Sequence, residues 1–169
     1  MSPVFLAALL VVTLLGATPP ATPATTSPPA AAPTPTPGGC TGTLSGAVSA
    51  SFSCTVTTTI DGTVATVTIA ADGPVAGVRE LKPATVSLPL PVTSGSYSGE
   101  ALRSAASSLV TSSRTAYSAG PGKGEVTLTV DQAERYRQAP NHLVMSGSLK
   151  ARLVPATGGK GDVILEVRF

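Results

Sequence analysis

The sequence predicts an all-β protein: an antiparallel β-sandwich, or a small Greek-key barrel, with at most one short helix, behind a signal peptide and a disordered linker. Three observations carry that expectation. From residue 40 onward, short runs rich in Val, Thr, Ile and Leu alternate apolar with polar residues at a period of two. Gly and Pro punctuate these runs, leaving room for about eight short strands, the spacing of a sandwich or small barrel. The first 60 residues hold none of the 20 Asp, Glu, Lys and Arg side chains, so they form a separate compositional regime.

Residues 4 to 17, VFLAALLVVTLLGA, carry no charge. As a helix they span about 21 Å, short of the roughly 30 Å of a bilayer core, so the stretch fits the apolar region of a secretory signal peptide. Small residues place its end after Ala17 or Ala24, giving a signal within 1–24, and an uncleaved anchor is the alternative. Residues 18–39 are only Pro, Thr, Ala, Gly and Ser. That composition cannot bury a core and favours extended polyproline geometry, a linker reaching roughly 70 Å.

Residues 40–169 form the expected domain. Its two cysteines, Cys40 and Cys54, in an exported chain imply one intrachain disulfide, and the chain between them must double back, near Ser45-Gly46-Ala47. The strongest local signal is SFSCTVTTTI-DG-TVATVTIA, a hairpin about Asp61-Gly62. That turn sets Ile60 against Thr63, Val56 against Val67 and Cys54 against Ile69 on an apolar face, with a threonine-lined face opposite. Thr85 to Leu90 reads as an edge strand because of Pro89 and Pro91. Residues 100 to 110 place Ala101, Leu102, Ala105, Ala106 and Leu109 at a helical period, with Glu100 and Arg103 three apart, and predict a short helix. Glu125 to Val130 alternates as a strand. A final hairpin buries Leu143, Met145, Leu149, Ala151 and Leu153 against Val163, Leu165, Val167 and a packed Phe169.

Composition excludes several functions. Eleven basic against nine acidic residues, without a charged run, leave no footprint for nucleic acid. One His and two Cys cannot complete a four-ligand zinc site, and no cofactor motif occurs. An outer-membrane barrel needs two aromatic girdles, and the domain holds five aromatic residues; membrane association is expected only if the N-terminal segment stays uncleaved.

Catalytic motifs are weak. Gly95-Ser96-Tyr97-Ser98-Gly99 has tyrosine where a nucleophile elbow needs serine. Asp61, Asp72 and Asp162 stand at glycine-containing turns, where aspartate caps its own backbone. Asp131 and Glu134 are the one pair suited in type to two-carboxylate hydrolysis. His142 is the only imidazole base, at the solvent-facing start of a strand. The densest charged stretch is Asp131 to Gln138, in which Arg135 and Arg137 flank Tyr136. Arginine beside tyrosine suits a recognition loop, so Arg135, Tyr136, Arg137 and His142 are the candidate binding residues, against the plainer reading of a solvated connection. Scarce Asn and Lys beside abundant Ala, Pro, Gly and Thr fit a bacterial, GC-rich source. The expectation is therefore a monomeric, secreted, periplasmic or cell-surface module that binds a protein or glycan or serves structurally. The rivals are a hydrolase using His142 and an assembly subunit pairing through a sheet edge.

Overall fold

The computed structural model describes residues 39–135, 141, 143–156 and 159–169. The expected signal peptide and nearly all of the linker lie outside them. The described chain forms ten strands: β1 (Gly39–Gly46), β2 (Ala50–Asp61), β3 (Val64–Ala71), β4 (Val78–Pro89), β5 (Gly95–Ser98), β6 (Ser104–Thr111), β7 (Ala116–Ala119), β8 (Glu125–Arg135), β9 (Leu143–Pro155) and β10 (Val163–Arg168). All pairings are antiparallel.

Eight of these strands close a barrel in the order β1-β2-β3-β4-β6-β7-β9-β10, and β10 pairs with both β9 and β1. Each barrel strand neighbours the next one along the chain, so the closure is up-and-down. Of the two expected architectures the structure is the small antiparallel barrel rather than the sandwich, and its strand order is up-and-down rather than Greek key. Alternating strands with short connections satisfy either architecture locally, but closure pairs both edges of the wall and leaves few open donors.

Two staves are each built from two strands in line. β9 pairs along one side with β8, from Leu143 to Arg152, and then with β7, at Val154 and Pro155. On the far side of that stave, β5 pairs with β8 and β6 with β7. The split staves β5/β6 and β7/β8 thus lie side by side.

The alternation read from the sequence sets the core. Leu88, Leu109, Leu128, Leu149, Leu153 and Leu165 are among the largest fully buried side chains, and Val126, Leu128 and Val130 of β8 join the same cluster. Outside, Thr57, Thr68 and Thr85 stand in one rung across β2, β3 and β4, with Thr59, Thr66 and Ser87 in another. An apolar interior beneath this hydroxyl-bearing wall is the opposite polarity to a lipid-spanning porin, whose lumen is polar.

Three elements differ from expectation. The first hairpin turns at Gly62-Thr63: Asp61 faces Val64, Val56 faces Ile69 and Cys54 faces Ala71. Gly62, at φ +56°, takes the first central position, where a glycine-led two-residue turn needs it. The shift is two residues, one full pleat, so every side chain keeps its predicted face. β4 is an internal strand rather than an edge, paired with β3 and β6. It tolerates Pro83 because that residue lies in the register shift between Lys82 and Thr85, beyond the last rung with β3 at Ala84. Pro89 lies past Ser87, the last β4 residue paired with β6, so no donor is required from it there. Residues 100 to 110 form β6 preceded by a single 3-10 turn, Gly99–Ala101, instead of a helix. A helix there would leave β4 and β7 without their common partner, and buried backbone groups must be paired.

The Phe169 expectation holds. Its ring is buried, and its backbone exchanges hydrogen bonds with Gly147 at 2.7 and 3.0 Å.

Candidate binding cleft

The sequence-selected loop is described only at its edges. Residues 131 to 135 extend β8 past a bulge between Val130 and Gln132, so this part of the charged stretch is strand rather than loop. Arg135 is exposed and opposite Leu143; Glu134, opposite Val144, is likewise on the strand. Tyr136, Arg137 and His142 lie outside the described residues. The far side of the loop is tied to β2: the Ile60 N–H donates to the Asn141 carbonyl at 3.0 Å, and the Thr58 hydroxyl donates to the Leu143 carbonyl. Cys40 and Cys54 form the expected disulfide, directly opposite one another on β1 and β2 with Cα atoms 4.9 Å apart.

A different feature stands out in the wall. Between the rungs Glu125–Arg152 and Ser118–Val154, β9 advances two residues while the facing stave advances seven, so five residues are looped out. They are Gly120 to Gly124, sequence GPGKG. Gly120 and Lys123 exchange backbone hydrogen bonds of 2.7 and 3.0 Å about Pro121-Gly122, with Gly122 at φ +75°. Proline followed by a glycine of positive φ is the type II turn pattern. Gly124 admits no side chain, since a Cβ there would meet the Arg152 carbonyl oxygen at 2.1 Å.

The neighbouring stave makes a matching excursion. Its ladder stops at Ser98, opposite Thr127, and resumes at Ser107, opposite Ala119. Between these rungs the two excursions part around a cleft of about 650 Å³, lined on one side by Gly99, Glu100 and residues 102–105 and on the other by residues 120–122 and 124–127. Glu100, Arg103 and Glu125 are exposed there, and none joins an ion pair among the described residues. Leu102 and Val126 supply apolar wall.

Electrostatically the cleft is weakly acidic. Arg152, opposite Glu125, is committed elsewhere: its Nε donates to the Asp162 carboxylate at 2.7 Å. That hydrogen bond and the Asp162 charge hold the Arg152 guanidinium above its ordinary pKa. A second open cleft, of about 630 Å³, flanks the other side of the Gly120–Pro121 turn and is lined mainly by small and apolar residues such as Ile69, Leu81, Pro83 and Ala119.

Sequence reasoning did not find this site. Glu100 and Arg103 were visible only as a helical pair, and the excursion places them at a cleft instead. The available signal was GPGKG, three glycines interleaved with proline and lysine, denser in turn formers than a plain strand connection needs. The chain matches no protein-family model, and no curated protein or solved structure matches it significantly.

Proposed function

We propose that this protein is an exported, disulfide-stapled β-barrel module of the cell surface or periplasm that binds its ligand in the cleft between the two excursions. The observation that carries the reading is the Cys40–Cys54 disulfide, which joins the first two barrel strands immediately after the Pro/Thr segment. Such a bond persists in oxidising compartments and is rare in the cytosol. The cleft supports the binding half, because an ordinary strand connection would join β7 to β8 without looping out five residues.

Intact mass of the native protein from soluble and surface fractions, before and after reduction with thiol alkylation, tests the export reading. A soluble species that starts near Thr18 or Thr25 and gains two alkyl groups only after reduction supports it. Alkylation without reduction overturns the disulfide and the compartment drawn from it.

A second reading, an assembly subunit, is favoured by one observation: among the described residues β5 pairs only with β8, leaving its other edge open. Such an edge can accept a strand from another chain. A molar mass that rises with concentration, and falls back when an edge proline is introduced in β5, would favour assembly.

A further inference from the structure

We propose that the cleft takes a small neutral saccharide, the end of a glycan chain, which rests on the binding reading above and names its ligand class. The two ends of the cleft set the shape of the ligand. Ladder rungs at Ser98–Thr127 and Ser107–Ala119 close the wall on either side. A peptide strand cannot run through it in the plane of the sheet, so the site suits a compact group entering from outside.

The side chains set the chemistry. Glu100 and Glu125 are acceptors and Arg103 a fork of donors, all without ion-pair partners among the described residues. The hydroxyls of Ser98, Ser104 and Thr127 can act both ways. Sugar hydroxyls likewise donate and accept, and they match a mixed set of this kind without needing a charge. Two carboxylates against one guanidinium disfavour a phosphate, sulfate or uronate. Half-buried Leu102 offers apolar surface to the C–H face of a ring. A volume of about 650 Å³ lies within the range of small-molecule sites. Among the described residues no aromatic side chain lines the cleft, so the affinity is expected to be modest, with Kd on the order of 1 mM.

The test is a titration of the ¹⁵N-labelled, disulfide-bonded full chain followed by backbone amide shifts. The probes are maltotriose, cellotriose, mannotriose and triacetylchitotriose, with trialanine and decanoate in parallel. At least one saccharide should shift the amides of Gly99, Arg103, Gly122 and Glu125 saturably. The double variant Glu100→Gln with Glu125→Gln should weaken that binding by about tenfold, the loss expected for charge-assisted hydrogen bonds. Both residues are exposed, and unchanged amide positions elsewhere show that the variant is folded. If trialanine or decanoate shifts these amides and no saccharide does, the saccharide inference falls while the binding reading stands. If no probe shifts them, both fall. Saccharide shifts confined to other parts of the barrel also overturn the proposal.

Discussion

Phe52 lies directly across the β1–β2 ladder from Gly42, and its ring occupies the space a side chain at Gly42 would need. A Cβ built on Gly42 would sit 2.2 Å from Phe52 Cζ. The glycine leaves an empty place on the inner face of β1, and the aromatic opposite covers it, a cross-strand pairing that also helps pin register. Gly42→Ala should therefore destabilise the barrel by about 1–3 kcal/mol through overpacking. The measurement is the urea midpoint. Adding Phe52→Leu should recover part of the loss, and equal midpoints for wild type and Gly42→Ala would show that the ring does not fill this space.

Opening the disulfide should cost about 3 kcal/mol, the chain-entropy value for closing a loop of this length, here with a separation of 14 residues. Replacing both Cys40 and Cys54 by alanine should lower the thermal midpoint, and reduction of the wild type should lower it similarly. Both cysteines are buried in the core, so a double replacement by valine should lose less than one by alanine.

Ser107 and Thr111 predict opposite signs on one strand. The Ser107 hydroxyl is buried with no hydrogen-bond partner among the described residues, so Ser107→Ala should stabilise the fold by on the order of 1 kcal/mol by removing an unpaired polar group. The Thr111 hydroxyl accepts from the Thr115 N–H at 3.0 Å and lies 2.9 Å from the Ser113 hydroxyl. Thr111→Val should cost about 1 kcal/mol. Chemical denaturation of the two variants side by side checks the contrast, and a loss at Ser107→Ala would mean that its hydroxyl is satisfied in solution.

Phe169→Ala should be the most damaging of these single substitutions, about 3–5 kcal/mol, because a buried aromatic at the end of the β9–β10 ladder leaves a cavity. Removing Phe169 altogether should cost more, since both backbone hydrogen bonds with Gly147 are then lost. Hydrogen exchange resolves where the effect falls. Amides of β9 and β10 should lose protection first, and uniform loss across all strands would show that the β9–β10 ladder does not depend on Phe169 more than the rest of the barrel does.

The faces of individual strands were legible in the sequence because a side-chain period of two is a local property. Cys54, Val56 and Ile60 against Ala65, Val67 and Ile69 mark the inner face of one hairpin, and Leu149, Ala151 and Leu153 against Val163, Leu165 and Val167 mark that of the other. Even the misplaced turn at Asp61-Gly62 left those faces intact, because a two-residue slip preserves parity. The pairing of Cys40 with Cys54 was equally accessible, since two cysteines allow only one intrachain bond.

Tertiary structure alone decided the rest. Alternation says which way a side chain points and nothing about whether the last strand returns to the first, so sandwich and barrel were equivalent until β10 paired with β1. Residues 100 to 110 carry a weak helical period, and the hydrogen-bonding demands of β4 and β7 on either side override it. The cleft is the extreme case: Glu125 lies 22 residues beyond Arg103 along the chain, and only the side-by-side excursions of two split staves bring it to one opening with Glu100 and Arg103. Local patterning thus determined the strands and their inner faces, while long-range pairing, which no local period encodes, decided closure and the site.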